Sequence, residues 1–298
     1  MKKHILLFLG ILIFASCDKL EGPFMTDSNI SPIDTSSNSF IKKVLIEDYT
    51  GHTCPNCPDA ARELEAIHDI YGDQIIGMAV HVSKTFARPY HISQAPEFQY
   101  DFRTQWGDDW DNFFEISSAG LPRGMINRIG VADQTHKLGK NEWAGAVANE
   151  LLKETIFKIS IISDTTLITT TTNVAMDTID NFNLAICLTE NNIINWQKDG
   201  QLNVEDYEHN HVLRSVVLDE PLSSSSSFIQ GEEIEKSVNI NLSALEQFNI
   251  DYSANNTAEL GNGNAGGWEK NNMHVIAYIY NADTYEIVQA EEVNLIIQ

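Results

Sequence analysis

The 298-residue sequence predicts an α/β domain over residues 41–154, followed by an all-β sandwich over residues 155–298. A strand, an amphipathic helix and a second strand follow one another before residue 83, which is the order of a parallel crossover unit. After residue 155, apolar β segments alternate with Asn-, Asp-, Ser- or Gly-rich turns and no convincing helix interrupts them. With 43% hydrophobic residues, the chain has enough apolar side chains to fill real cores.

The N-terminal segment has the pattern of an export signal. Lys2 and Lys3 precede an apolar stretch over residues 5–15, which is shorter than the roughly 20 residues a membrane-spanning helix needs. The small residues before Cys17 resemble a bacterial lipobox. The resemblance implies that residues 1–16 are a lipoprotein signal peptide and that Cys17 is lipidated. An ordinary secretory signal with an incidental cysteine is the alternative.

Residues 17–40 are predicted to be a disordered tether. They are rich in Ser, Asp, Asn and Pro and bury too little apolar surface to offset the entropy of ordering.

Regular spacing predicts the elements of the α/β domain. Apolar residues in the stretch from Pro58 to Tyr71 recur every three or four positions, which indicates a helix that Gly72 ends. The flanking strands are expected at Ile41–Asp48 and Ile75–Val82. An aromatic-rich helical insertion is expected at 85–119. A short strand at Met125–Ile129 and a helix at Asn141–Glu154 complete the domain.

The second segment is predicted to contain seven strands, arranged as an immunoglobulin-like antiparallel sandwich. They are Phe157–Ile162, Leu167–Val174, Asn183–Thr189, His211–Leu218, Ile234–Ile240, His274–Tyr280 and Glu286–Asn294.

Cys54-Pro55-Asn56-Cys57 lies between the first strand and the helix. A cysteine at a helix N-terminus faces unpaired backbone N–H groups and the positive end of the helix dipole, which stabilise a thiolate. A second cysteine three residues later can close a disulfide across the first turn. The pattern in this context predicts a redox site, and a permanent structural disulfide in an oxidising compartment is the alternative.

These residues resemble the thioredoxin superfamily, in which a strand, a CxxC motif and a helix follow in this order. The resemblance implies a thioredoxin-like first domain, an exposed nucleophile at Cys54 and a resolving thiol at Cys57. It also implies that Asp48 exchanges the proton of the resolving thiol, and that Pro122 is a cis-proline facing the disulfide. From the residues alone, a solvated Asp48 at the end of its strand is an open alternative.

A wider set of motifs resembles the outer-membrane-protein-28-related lipoproteins of Gram-negative bacteria. It comprises the lipobox, the cysteine segment, GLPRGMINR from residue 120, HNHVLR from residue 209 and MHVIAYIY from residue 273. This resemblance implies an outer-membrane lipoprotein, facing the periplasm or the cell surface. Some members are proposed to be adhesins or receptors.

Charge and ligand spacing exclude several other functions. The chain carries 42 Asp and Glu against 19 Lys and Arg, which disfavours nucleic-acid partners. His52 and His81 are available beside the cysteines, but no second CxxC or paired His follows, so neither metal nor cofactor is expected. A copper site formed by the thiolate pair and a histidine is the open alternative. His209 and His211 are predicted to share one face of a strand in a structural role. Cys187 is expected to be a buried free thiol.

Two functional hypotheses follow. In the first, the lipid-anchored protein exchanges disulfides with envelope proteins that carry thiols or disulfides. In the second, it is a non-enzymatic surface binding or adhesion lipoprotein for an unknown ligand, and the CxxC pair is a structural disulfide.

Overall fold

The computed structural model describes residues 40–91, 93, 96–256 and 260–296. The expected signal peptide, the lipidation site Cys17 and the tether up to residue 39 lie outside these residues. Within the described chain, no helix is both long and apolar enough to cross a membrane.

The described residues form fourteen strands and four α-helices. The strands are β1 (Val44–Thr50), β2 (Ile75–His81), β3 (Arg123–Ile126), β4 (Phe157–Ser163), β5 (Leu167–Val174), β6 (Thr178–Ile179), β7 (Phe182–Glu190), β8 (Ile193–Asp199), β9 (Leu202–His209), β10 (Val212–Pro221), β11 (Ser227–Phe228), β12 (Glu233–Asn239), β13 (Met273–Asn281) and β14 (Ile287–Asn294). The helices are α1 (Cys57–Tyr71), α2 (Gln105–Phe114), α3 (Lys140–Leu151) and α4 (Leu242–Asn255).

The predicted crossover unit is present as β1, α1 and β2. The two strands are parallel, with Val44 opposite Ile75, and β3 is antiparallel on the other side of β1. Pro58 in the first turn of α1 loses no helical hydrogen bond, and Gly72 ends the helix with a φ of 57°. The apolar face of α1 packs with α3 on one side of the sheet, around the fully buried Trp143.

The expected division into two domains at residue 154 differs from the structure. From residue 40 onward, the described residues form one compact unit, and a single seven-stranded sheet has the order β14-β13-β7-β10-β2-β1-β3. The junction is the parallel pairing of Val212 with Ala79, where the Ala79 amide donates to the carbonyl of His211 over 2.8 Å. An unpaired edge of β2 would leave backbone groups open, and β10 pairs with this edge at Ala79.

The β-rich segment is therefore not a separate immunoglobulin-like sandwich. Its strands β4, β5 and β12 form a three-stranded sheet, and side chains of β4 and β5 pack against β7 and β13 of the large sheet. Helix α4 was also absent from the expectation. Its apolar side chains show little helical periodicity, although Asn241 accepts a hydrogen bond from the Ala244 amide and caps it.

The aromatic-rich segment 85–119 contains α2 and a short 3-10 helix at Ser117–Ala119. Thr104 caps α2 by accepting a hydrogen bond from the Gly107 amide. Phe98, Phe102 and Phe114 are buried, so these aromatic side chains are part of the core.

Candidate functional site

The cysteine pair lies where β1 turns into α1. Cys54 and Cys57 form a disulfide with their Cα atoms 5.4 Å apart, and Cys57 is the first residue of the helix. The Cys54 amide donates to the carbonyl of Gly51 over 3.0 Å. A Cβ on Gly51 would lie 2.4 Å from the carbonyl oxygen of Phe86, so the close approach of these two loops requires glycine.

The expectation of an exposed Cys54 is wrong. Cys54 is 1% exposed and Cys57 is 2% exposed. Two segments contact the loop over residues 51–57, which we call the cysteine loop. Phe86 accepts a hydrogen bond from the Thr53 amide over 2.9 Å, and the hairpin formed by β8 and β9 bonds to the other side.

The β8–β9 hairpin holds the cysteine loop with its tip. The amides of Lys198 and Gly200 donate to the carbonyls of His52 and Pro55, each over 2.8 Å. The side-chain amide of Gln197 donates to the carbonyl of Cys54 over 3.2 Å. These bonds join residues far apart in the chain, which explains why a sequence pattern does not reveal the burial of the cysteines.

Sequence reasoning missed this hairpin, although a signal for it is present. Asp199 pairs with Leu202, which leaves the two-residue loop Gly200-Gln201, and Gly200 has a φ of 58°. Glycine at the first position of a two-residue loop is a signal for a β-hairpin, because it adopts the positive φ that such turns require.

Asp48 lies inside the protein on β1, opposite Ala79 of β2 and Gly124 of β3. It is 4% exposed, and its Oδ1 atom has no hydrogen-bond partner. Burial raises the pKa of this carboxyl from 3.8 to about 8. The solvated alternative for Asp48 is therefore wrong, and the carboxyl is mainly protonated at neutral pH.

A cavity of about 50 Å³ joins Asp48 to the disulfide. Its lining includes Asp48, Cys57, Gln197 and Tyr207. One water needs about 10–15 Å³ of such volume, so the cavity has room for a few waters between the carboxyl and the resolving cysteine.

Three buried histidines lie in this region: His81 and His209 line the cavity, and His52 belongs to the cysteine loop. Desolvation lowers the pKa of His52 to about 4 and that of His209 to about 3, and it lowers the pKa of His81 well below the usual range. These rings are neutral at pH 7. The ring of Phe102 lies 4.6 Å from the rings of both His81 and His209, measured between centroids.

The prediction that His209 and His211 share one face of a strand is wrong. His209 ends β9, His211 precedes β10, and His211 has a φ of 58°, so the chain turns between them. Both side chains nevertheless line the cavity. Among residues the structure describes, no three His, Cys, Asp or Glu side chains are placed to hold a metal ion.

Pro122 lies beside the end of β1 that leads to the cysteine loop. The Leu121–Pro122 peptide bond is cis, and the next residue, Arg123, pairs with Tyr49. Pro122 is not among the residues that line the cavity.

Cys187 lies on β7, far along the chain from the other two described cysteines. It is a buried free thiol, as expected, and burial raises its pKa, which keeps it unreactive.

Comparison with known proteins places the chain in a family. The sequence pattern of the family described as outer membrane protein Omp28 matches residues 110–296, which is more than half of the chain. This protein belongs to the Omp28 family. The match begins after the cysteine loop, so membership rests on the second half of α2 and the segments that follow it.

Solved structures give more distant likenesses. HBP35 of Porphyromonas gingivalis has a TM-score of 0.54 at 16% identity, over 86% of this chain and 76% of that one, which shows a shared fold. A protein of Agrobacterium tumefaciens has a TM-score of 0.48 at 13% identity, over 86% and 95% of the two chains. A domain of the outer membrane lipoprotein Omp28 from Porphyromonas gingivalis has a TM-score of 0.27 at 14% identity, over 49% and 93%. No curated protein matches the chain.

Proposed function

We propose that this Omp28-family protein is a lipid-anchored protein of the outer membrane. In this proposal, its Cys54–Cys57 pair exchanges disulfides with other envelope proteins, and β1, α1, β2 and β3 form a thioredoxin-like framework for the pair. The family description supports the location, and the lipobox resemblance at Cys17 supports the anchor.

The observation that carries the proposal is the cavity shared by Asp48 and Cys57. A purely structural disulfide needs no carboxyl beside it, and burying one without a hydrogen bond to Oδ1 lowers the stability of the folded state. A carboxyl with a pKa of about 8 can both give and accept a proton near neutral pH. Asp48 is therefore suited to exchange the proton of Cys57 through the cavity.

The exchange begins when a thiolate of a partner protein attacks the Cys54 Sγ atom. The Cys54–Cys57 bond breaks, a mixed disulfide forms, and Cys57 leaves as a thiolate that takes a proton from Asp48. A second partner thiolate then attacks the partner sulfur and releases Cys54. The partner dithiol is oxidised to a disulfide, and the cysteine pair receives two electrons. The reverse sequence reduces a partner disulfide.

Trapping tests this proposal. Cys57→Ser leaves Cys54 without its resolving thiol, so mixed disulfides with envelope proteins should accumulate in intact cells. Cys187→Ser, which removes the buried thiol instead, is the matched control and should trap none. If Cys57→Ser also traps no partner, and the wild type neither oxidises nor reduces a model substrate, the exchange function is refuted.

The burial of both cysteines favours a second candidate function. In this candidate, the disulfide, whose cysteines are 1–2% exposed, stabilises the fold of a surface binding or adhesion lipoprotein and takes part in no exchange. In that case, Cys54→Ala/Cys57→Ala should leave ligand binding at the cell surface intact. Substitutions on the exposed face of the β4–β5–β12 sheet should then abolish it.

A further inference from the structure

The β8–β9 hairpin stands apart from both larger sheets. In the described part of the chain, its two strands pair with each other and with no third strand. Gln197 and His209 are its buried side chains, whereas Ile194 and Leu202 are 58% and 68% exposed. An element with so few buried apolar contacts opens at a lower free energy than the core.

The hairpin reaches the cysteine loop through a small set of polar contacts. Backbone amides of Lys198 and Gly200 and the side chain of Gln197 donate to four carbonyls of the loop, those of Gly51, His52, Cys54 and Pro55. Outside these bonds, Asn203 donates to Glu97 over 2.8 Å, and the rings of Trp196 and His209 lie beside those of Phe98 and Phe102. Arg62 of α1 also pairs with Asp199 over 3.1 Å. This ion pair is solvent-exposed and contributes little.

Disulfide exchange needs a straight approach of a thiolate to the Cys54 sulfur, which the buried state does not allow. Displacement of the hairpin tip removes its contacts with the cysteine loop and frees the loop carbonyls. Those of His52 and Pro55 can then accept hydrogen bonds from an extended segment of another protein, as they now accept them from the hairpin.

We propose that the β8–β9 hairpin is an autoinhibitory cover of the disulfide. It occupies the surface where an extended, thiol-bearing segment of a partner protein binds, and it must swing away before exchange. This inference rests on the proposed exchange function and adds to it the element that controls access.

The test is the rate at which dithiothreitol reduces the disulfide of the full folded chain, measured at fixed pH and several urea concentrations below the unfolding transition. Each thiol of dithiothreitol acts in turn, so the reagent is oxidised as the cysteine pair is reduced. Gln197→Ala removes the side-chain bonds that hold the loop and should raise the rate about tenfold. Gln201→Ala, in the exposed turn of the same hairpin, is the matched control and should change the rate less than twofold.

Urea dependence separates a local opening from global unfolding. Opening of the hairpin exposes little surface, so the reduction rate should depend weakly on urea. The proposal is overturned if the rate follows global unfolding, with the same steep urea dependence, or if Gln197→Ala reacts like Gln201→Ala. Because the reagent is a small thiol, this result is independent of the trapping experiment with Cys57→Ser, and either proposal can fail alone.

Discussion

Replacing Asp48 with Asn should remove a large pH-dependent loss of stability. The carboxyl has a pKa of about 8 in the folded protein and 3.8 as its ordinary value. Between these values the folded state holds a proton that the unfolded state has released. The free energy of unfolding therefore falls as the pH rises through this window and levels off above it. Each pH unit is worth about 1.4 kcal/mol, so the loss by pH 7 is about 4 kcal/mol.

The amide introduced by Asp48→Asn has no proton to exchange, so its contribution does not change with pH. The quantity to measure is the free energy of unfolding of Asp48→Asn minus that of the wild type, from urea titrations of the oxidised proteins. This difference should increase by about 4 kcal/mol from pH 4 to pH 7. Asp69→Asn, at an exposed position on α1, is the matched control. A difference that stays constant over this range would refute the assignment of a raised pKa to Asp48.

Three further predictions concern stability. Glu47→Gln leaves the buried Arg128 guanidinium without the carboxylate that it contacts at 2.7 Å. Urea titration should therefore show that the free energy of unfolding falls by about 3–5 kcal/mol, and a fall under about 1 kcal/mol would contradict a buried ion pair. Burial lowers the pKa of His52 to about 4. As the pH falls from 6.5 to 4, the free energy of unfolding of the wild type should therefore fall by about 3 kcal/mol relative to that of His52→Gln. Equal pH profiles of the two proteins would argue against a neutral ring. Cys54→Ala/Cys57→Ala opens a very short covalent loop, so the free energy of unfolding, measured by heat or urea, should fall by about 2 kcal/mol. A much larger fall would indicate a wider structural role of the disulfide.

Sequence reasoning succeeded where the signal is local. The 3- and 4-residue spacing of Ala60, Leu64 and Ile67 predicts α1, and all three side chains are buried in the structure. The CxxC spacing allows a disulfide across one helical turn, and that disulfide is present. Helix α4 and the β8–β9 hairpin were missed. The first lacks an amphipathic pattern, and the only local signal for the second is Gly200 at the start of its two-residue loop.

Local patterns thus determined the crossover unit, the position of the cysteine pair at a helix N-terminus and the strand-rich second segment. Only the tertiary structure decided that β10 continues the sheet beyond β2, that the hairpin bonds to the cysteine loop and that one cavity is lined by both Asp48 and Cys57. Helical periodicity and turn chemistry depend on residues a few positions apart, so they can be recognised along the chain. The partner of a strand edge and the burial of a carboxyl depend on segments more than a hundred residues away, and these meet only when the chain has folded.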